Sequence, residues 1–574
     1  MSGSGATPSG RQGQGPVGRR GAPPLAWSVA LLGLGLGACG TSAGPPLQLE
    51  VDVVRALDCR PTAPLRRFEL DALGAGPFEP ARRQAWSAGQ APDPLPADVR
   101  QVRLRAWDEA GWEGLAAATL APEARSAWLL LAPPDRSCPL ADPALAWFEG
   151  AAAVVQAPAG RAWLLGGLAA GTARRQVVRY EEGRRLATME PGLALRRAWA
   201  TATAAPGGVL VAGGMPGDGS VPHDTVERLR PEAPGELLQP PMLRARAGHA
   251  ALWLPAEEAL LLVGGEGAPG AEPWADAERW APGRPPQPVT LPEGRTAPSL
   301  WLDGRGDVWL AGGRGPDGAP AVGLWRLPAG GDRFEVVDAT LPALEDGRLL
   351  PLGRHLAAWV GRESDTERVQ VHLVRPTPDG EGADVRPWAP PLPPLRTLRV
   401  AAASGGRLLL VGAERDGRRF AAWLQPEWSL VARLDASRAA RRLLVLPGGA
   451  VLEVDGSGAS LRQVEQRSPW DEPPASWVPV QASARADEPA ELLGVAGARW
   501  RLERGRLEAT RAGGLLEVAE LRFEGARIEV GSVGAVRLRL ETDGGLVAVR
   551  AENGALRLDG EEGCEVPFEG TAGD

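Results

Sequence analysis

The sequence predicts an all-β fold, a series of similar small sheets flanked by two further β domains. Three observations predict it. The 574 residues include 75 Gly and 56 Pro, an abundance that suits closely spaced turns and disfavours long helices. Apolar runs end in glycine pairs at "AWLLGG" (Gly166, Gly167), "VLVAGG" (Gly213, Gly214), "LLLVGG" (Gly264, Gly265) and "VWLAGG" (Gly312, Gly313), which step by 47, 51 and 48 residues. Outside that repeat, segments such as "VRQVRLRAWDE" (Val99 to Glu109) alternate apolar and polar residues, the pattern of half-buried strands. A step near 50 is the length of one blade of a β-propeller, whose sheets bury their faces only by stacking on one another.

Taken in order, the chain begins with an address. Arg11, Arg19 and Arg20 precede the apolar run "PLAWSVALLGLGLGAC", too short and glycine-rich for a permanent membrane span but suited to a signal peptide. It ends in Leu36-Gly37-Ala38-Cys39, which resembles the lipobox of bacterial lipoproteins. The resemblance implies removal of residues 1–38 and a lipid on Cys39, which anchors the chain to a membrane, and Gly40 after it implies the outer membrane rather than the inner. Residues 39–46 read as a tether. Residues 47–140 read as an N-terminal β-sandwich-like domain. Export permits disulfides, and Cys59 pairs most naturally with Cys138, which leaves Cys564 either a buried thiol or a sign that the pairing differs.

The repeat occupies 141–485. Degenerate copies follow the four pairs at "AAWVGR" (Gly361) and "LLLVGA" (Gly412), and a seventh is read in Arg441 to Trp470, where "AVLEVDG" replaces the pair. Other marks keep the phase: a strand ending near a proline (Pro231, Pro282, Pro328, Pro376, Pro426) and an Arg-led strand (from Arg246, Arg295, Arg354 and Arg399). These features together resemble the kelch family, which implies a propeller of four-stranded blades, seven here with six the alternative. The resemblance also implies structural roles for His249 and His355, which stand in Arg-led segments. Residues 486–574 alternate again, with turn signals at Asp543-Gly544 and Asn553-Gly554, and read as a C-terminal β-sandwich-like domain.

Composition removes several reaction classes. The chain contains no lysine, so it supplies neither a P-loop lysine nor a Schiff base. A net charge of −8 without a basic block argues against nucleic acid as a partner. A galactose-oxidase-like copper site needs two tyrosines, and Tyr180 stands alone. His223 and His372 show no metal-ligand spacing, so no metal or other cofactor is expected. The sequence Gly265-Glu266-Gly267-Ala268-Pro269-Gly270 has dinucleotide-loop spacing, but Gly313 to Gly318 repeats it in phase, so both read as blade turns. Arg305-Gly306-Asp307 likewise reads as a hairpin turn. Of the 21 tryptophans, Trp253, Trp280, Trp301, Trp309 and Trp325 are expected between blades, with Trp274 the candidate for exposure.

The expectation is a lipid-anchored envelope protein that binds or assembles an unknown protein or glycan at a propeller rim, with no catalytic residues assigned. A propeller enzyme acting on polysaccharide, with acids gathered at the channel mouth, is the first alternative. A purely structural envelope component is the second.

Overall fold

The computed structural model describes residues 47–464, apart from short internal stretches of which 74–81 is the longest, and the backbone of strands between 478 and 560. Cys39, the tether and Cys564 lie outside the described residues. Every sheet is small, and the fold is all-β.

The N-terminal region pairs Gln48–Val53 in parallel with Ser126–Leu131, over a four-stranded antiparallel sheet in the order Arg82–Ser87, Leu65–Leu73, Gln101–Asp108, Glu113–Thr119. Alternation in Gln101–Asp108 puts Val102, Leu104 and Ala106 inside. They meet Leu70, Ala116, Leu129 and Leu131 in one apolar core. The sulfurs of Cys59 and Cys138 are bonded, 2.11 Å apart.

Seven four-stranded antiparallel sheets follow. Their leading strands are Ala152–Gln156, Thr201–Ala205, Ala250–Leu254, Ser299–Leu302, Glu345–Gly353, Leu395–Ala403 and Arg442–Val445. Each leading strand lies beside that of the next sheet, and Arg442–Val445 lies beside Ala152–Gln156. In the first six sheets the strands follow in chain order, interrupted only in the first, where the short hairpin of Leu168–Ala169 and Thr172–Ala173 lies between the second and third strands. The seventh takes its fourth strand, Ser137–Leu140, from ahead of the first sheet, within the span read as the N-terminal domain.

The second strand of each sheet is buried on both faces, which is why these strands read as unbroken apolar runs. In "ALLLV", Leu260 and Leu262 pack against Leu210 and Ala212 of the preceding sheet, while Leu261 and Val263 pack against Leu310 and Leu327 of the following one. The same two-sided packing joins every successive pair. Between the seventh sheet and the first, Leu452, Val454 and Leu461 meet Ala162, Leu164 and Tyr180. Trp280, Trp301, Trp309 and Trp325 are buried in these seams, whereas Trp253 is half-buried.

At the C-terminal end the strands form one five-stranded and one four-stranded antiparallel sheet. Thr542 pairs with Gly545 and Glu552 with Ala555, the register that the two turn signals require.

Candidate functional site

The glycine pairs are joints between sheets. Gly166, Gly213, Gly264 and Gly312 have φ of 61 to 66°, and Gly167, Gly214, Gly265 and Gly313 have φ of 85 to 91°. The second glycine donates its N–H to a carbonyl of the next sheet: Gly167 to Arg197, Gly214 to Arg246 and Gly265 to Arg295, at 2.8 to 2.9 Å. A Cβ on the first glycine would lie 2.2 to 2.3 Å from that same carbonyl, and on Gly312 would meet the Trp359 ring. Only glycine combines this left-handed conformation with so close an approach.

The arginines at these joints are internal. Arg197 is buried against Glu227 and donates to the Gly213 carbonyl at 2.5 Å. Arg246 pairs with Glu278 at 3.0 Å and donates to the Gly264 carbonyl at 2.8 Å. Arg295 donates to the carbonyls of Gly312 and Val322 and stacks 3.5 Å over the Trp325 ring. Burial pushes the Arg295 guanidinium down to about 10. Their charges are spent within the fold.

His249 is buried too, its Nε2 2.9 Å from the Thr201 hydroxyl, and burial, reinforced by the charges of Arg246 and Arg197, holds its pKa well below the ordinary range. His355 differs from expectation. It is exposed in the turn between Glu345–Gly353 and Leu356–Arg362, because the apolar run that follows it is the second strand of its sheet and not the leading one. The place that Arg197, Arg246 and Arg295 hold is taken by Leu344 and Leu395 in the fifth and sixth sheets, so Arg399 also stands four residues beyond the position expected of an Arg-led strand. Trp274 is half-buried, with the Arg244 guanidinium 4.6 Å over its ring. His223 Nε2 lies 3.0 Å from the Arg196 carbonyl, apart from His249 in role. Among the described residues, no group of three or more His, Cys, Asp or Glu is placed to hold a metal.

A different set of residues converges at the start of the leading strands. Ala152, Thr201, Ala250, Ser299, Arg348, Arg399 and Arg442 occupy one register position, each paired with the second-strand residue just before the glycine pair or its counterpart: Leu165, Ala212, Val263, Ala311, Val360, Val411 and Val454. Four consecutive sheets carry small uncharged residues there and three consecutive sheets carry arginine. Solvent reaches Arg348 and Arg442. Nevertheless the surrounding protein lowers both guanidinium pKa values, that of Arg442 to about 10, with desolvation first and the neighbouring arginines next. Arg399 donates to the Arg441 carbonyl at 3.1 Å and to Asp346 at 3.3 Å. Asp346 also accepts from Arg362 at 2.8 Å.

Two residues before this layer, the backbone is left-handed in five successive sheets: Gly150, Trp199, Gly248, Ala297 and Asp346, with φ of 49 to 64°. Their peptides link in a chain, Trp199 N–H to Gly150 at 2.7 Å, Gly248 to Trp199 at 3.2 Å and Ala297 to Gly248 at 2.5 Å. For Trp199, Ala297 and Asp346 the conformation costs on the order of 1–3 kcal/mol each, a strain found most often at binding and catalytic sites.

No family model matches this chain, and no curated protein matches it. Among solved structures the chain is similar to a fungal alcohol oxidase with catalytic diversity among the AA5 family, in complex with copper, at 11% identity and a TM-score of 0.45 over 74% of this chain and 99% of that one. It is also similar to the structure of YjhT, at 12% identity and a TM-score of 0.36 over 50% of this chain and 94% of that one.

Proposed function

We propose that the chain is a seven-bladed, kelch-like β-propeller, exported and held on a bacterial envelope by lipid on Cys39, which acts as a binding or assembly protein and not as an enzyme. The observation that carries this reading is the seating of Ser137–Leu140 beside Gly458–Arg462, together with the apolar seam between the seventh and first sheets. A strand from ahead of the first blade completes the last, which closes a ring and makes it rigid. The starts of the leading strands then gather at one mouth of its central channel, where side chains are presented to a partner while the seams stay fixed. The lipobox and the Gly40 that follows Cys39 support the outer membrane as its place.

Pull-down from envelope extract with the full-length protein in detergent tests the binding role. Reproducible capture of one partner, protein or glycan, is expected. Capture of nothing above a bead control favours a purely structural component. Turnover of a polysaccharide by the purified protein, abolished by loss of a mouth acid such as Asp346, would favour the enzyme. Anchoring is tested separately: Cys39→Ala should move the protein from the membrane to the soluble fraction, and retention on membranes overturns it.

A further inference from the structure

Two exposed leucines stand beside the seam that joins the seventh sheet to the first. Leu57 is 73% exposed and Leu186 is 60% exposed. Each neighbours an alanine, Ala56 or Ala187, that packs against the apolar core of this seam, which also holds Cys59 and Cys138. The bond between those cysteines pins the turn of Leu57. Ala187 donates its N–H at 2.7 Å to the carboxylate of Asp142, which follows Cys138 in the chain. Both turns are thus fixed to one segment, with their alanines inward and their leucines in water.

The surroundings of the leucines are basic. Arg55 and Arg60 are exposed on either side of Leu57, and among the described residues no side-chain hydrogen bond or ion pair holds either guanidinium. Arg184, also exposed, stands two residues before Leu186 and pairs with Glu181 at 2.7 Å. Asp58 is the exposed carboxylate of the Leu57 turn. Leucines set among free guanidiniums suit the boundary of an anionic bilayer, where apolar side chains enter the acyl layer and guanidiniums meet phosphates.

Chain length brings a bilayer within range. Leu47 is eight residues beyond Cys39, a tether that reaches at most about 28 Å. The strand Gln48–Val53, which leads from Leu47 towards the Leu57 turn, spans about 20 Å. The tether outreaches the strand, so a lipid on Cys39 and the two leucines have access to one surface.

We propose that Leu57 and Leu186, with Arg55 and Arg60, form a second contact with an anionic phospholipid bilayer and lay the protein against the membrane that holds its lipid. This inference rests on the reading of Cys39 as the anchor and adds how the anchored protein is oriented. The patch is the weaker contact, because two leucines bury far less apolar surface than acyl chains. A chain without the lipid therefore leaves membranes on dilution, yet binds vesicles when lipid is abundant.

Co-sedimentation with vesicles at rising lipid concentration tests it, using the chain from residue 39 onward with Cys39→Ala, so that neither signal peptide nor lipid contributes. Vesicles of phosphatidylglycerol and phosphatidylethanolamine should capture it, less so as salt is raised, and better than vesicles of phosphatidylcholine. Leu57→Ser with Leu186→Ser should lower partition about tenfold. Arg55→Gln with Arg60→Gln should lower it about tenfold on the anionic vesicles and leave phosphatidylcholine unchanged. All four side chains are exposed, so the urea midpoints of both pairs should match the parent's. No capture by anionic vesicles, or partition unchanged in the leucine pair, overturns the proposal. Loss of a pulled-down protein partner in the leucine pair, with vesicle binding intact, overturns the bilayer in favour of a protein interface. If the lipid-bearing parent is membrane-bound and vesicles capture nothing, this inference alone falls; if vesicles behave as expected and the parent is not membrane-bound, the anchoring reading falls instead.

Discussion

The Ser137 hydroxyl donates a 2.6 Å hydrogen bond to Glu453, across 316 residues of chain. Glu453 is buried, and it also accepts from Arg462 at 2.6 Å. The same arginine donates to the Asp135 carbonyl, and the Asp135 carboxylate accepts from Trp423 at 3.1 Å. Three residues of the sixth and seventh sheets, Trp423, Glu453 and Arg462, thus hold a segment that precedes the first sheet. Removing Glu453 takes away the carboxylate with which the buried Arg462 pairs, so Glu453→Ala should cost about 3–5 kcal/mol. Ser137→Ala should cost about 1–3 kcal/mol. Urea unfolding measures both, and a Glu453→Ala midpoint equal to the parent's would remove this network from the account.

The covalent tie beside that network makes a second prediction. Cys59 and Cys138 are 79 residues apart. Closing so long a loop restricts the unfolded chain, so replacing both with serine should lower stability by about 4 kcal/mol. Urea midpoints with and without reductant should differ for the parent and coincide for the double variant. Coincidence in the parent would mean that the bond does not form.

Glycine substitutions should fall into two classes. Gly264→Ala places a methyl group 2.2 Å from the Arg295 carbonyl at φ of 64°, whereas Gly318→Ala, at φ of 74°, meets nothing within 4 Å. The second should cost only the left-handed strain, about 1 kcal/mol, and the first clearly more. Equal losses in thermal or urea unfolding would show that conformation alone, and not the joint, selects glycine.

Glu182 gives the protein a pH-dependent term. It is buried where the N-terminal region meets the first and seventh sheets, and accepts N–H bonds from Thr119 and Gly448 at 3.0 Å. Burial, only partly opposed by those bonds, pushes its pKa up to about 7. A carboxyl whose folded pKa is raised contributes stability that is full below the unfolded value and is lost as pH rises through about 7. The stability of the parent relative to Glu182→Gln should therefore fall by about 3 kcal/mol between acid and mildly alkaline pH. A difference that does not change across that range would contradict the assignment.

Much of this was legible in the sequence because local chemistry forced it. The glycine pairs announce themselves since no other residue tolerates both the left-handed φ and the neighbouring carbonyl. The two-sided seams announce themselves as runs such as "ALLLV". Arg246 and Arg295 were readable for the same reason. His355 was misplaced because an Arg-His pair ahead of an apolar run looks alike in a leading strand and in a hairpin. The strand Ser137–Leu140 gives no local sign of a partner more than 300 residues away. Arg348 and Arg442 escaped notice because their meaning lies in register. Positions 152, 201, 250, 299 and 348 share one step, but hairpins of unequal length hide it when the repeats are aligned on their glycines.

Closure of the ring is the claim on which the mouth, its arginines and the binding role depend. The most direct test compares the unfolding of two fragments, 134–485 and 141–485, which differ in the segment that holds Asp135, Ser137 and the closing strand. The longer fragment should unfold in urea at a clearly higher midpoint, with the shorter one exposing the seam of the first and seventh sheets to hydrogen exchange. Identical midpoints and identical protection of that seam would contradict closure.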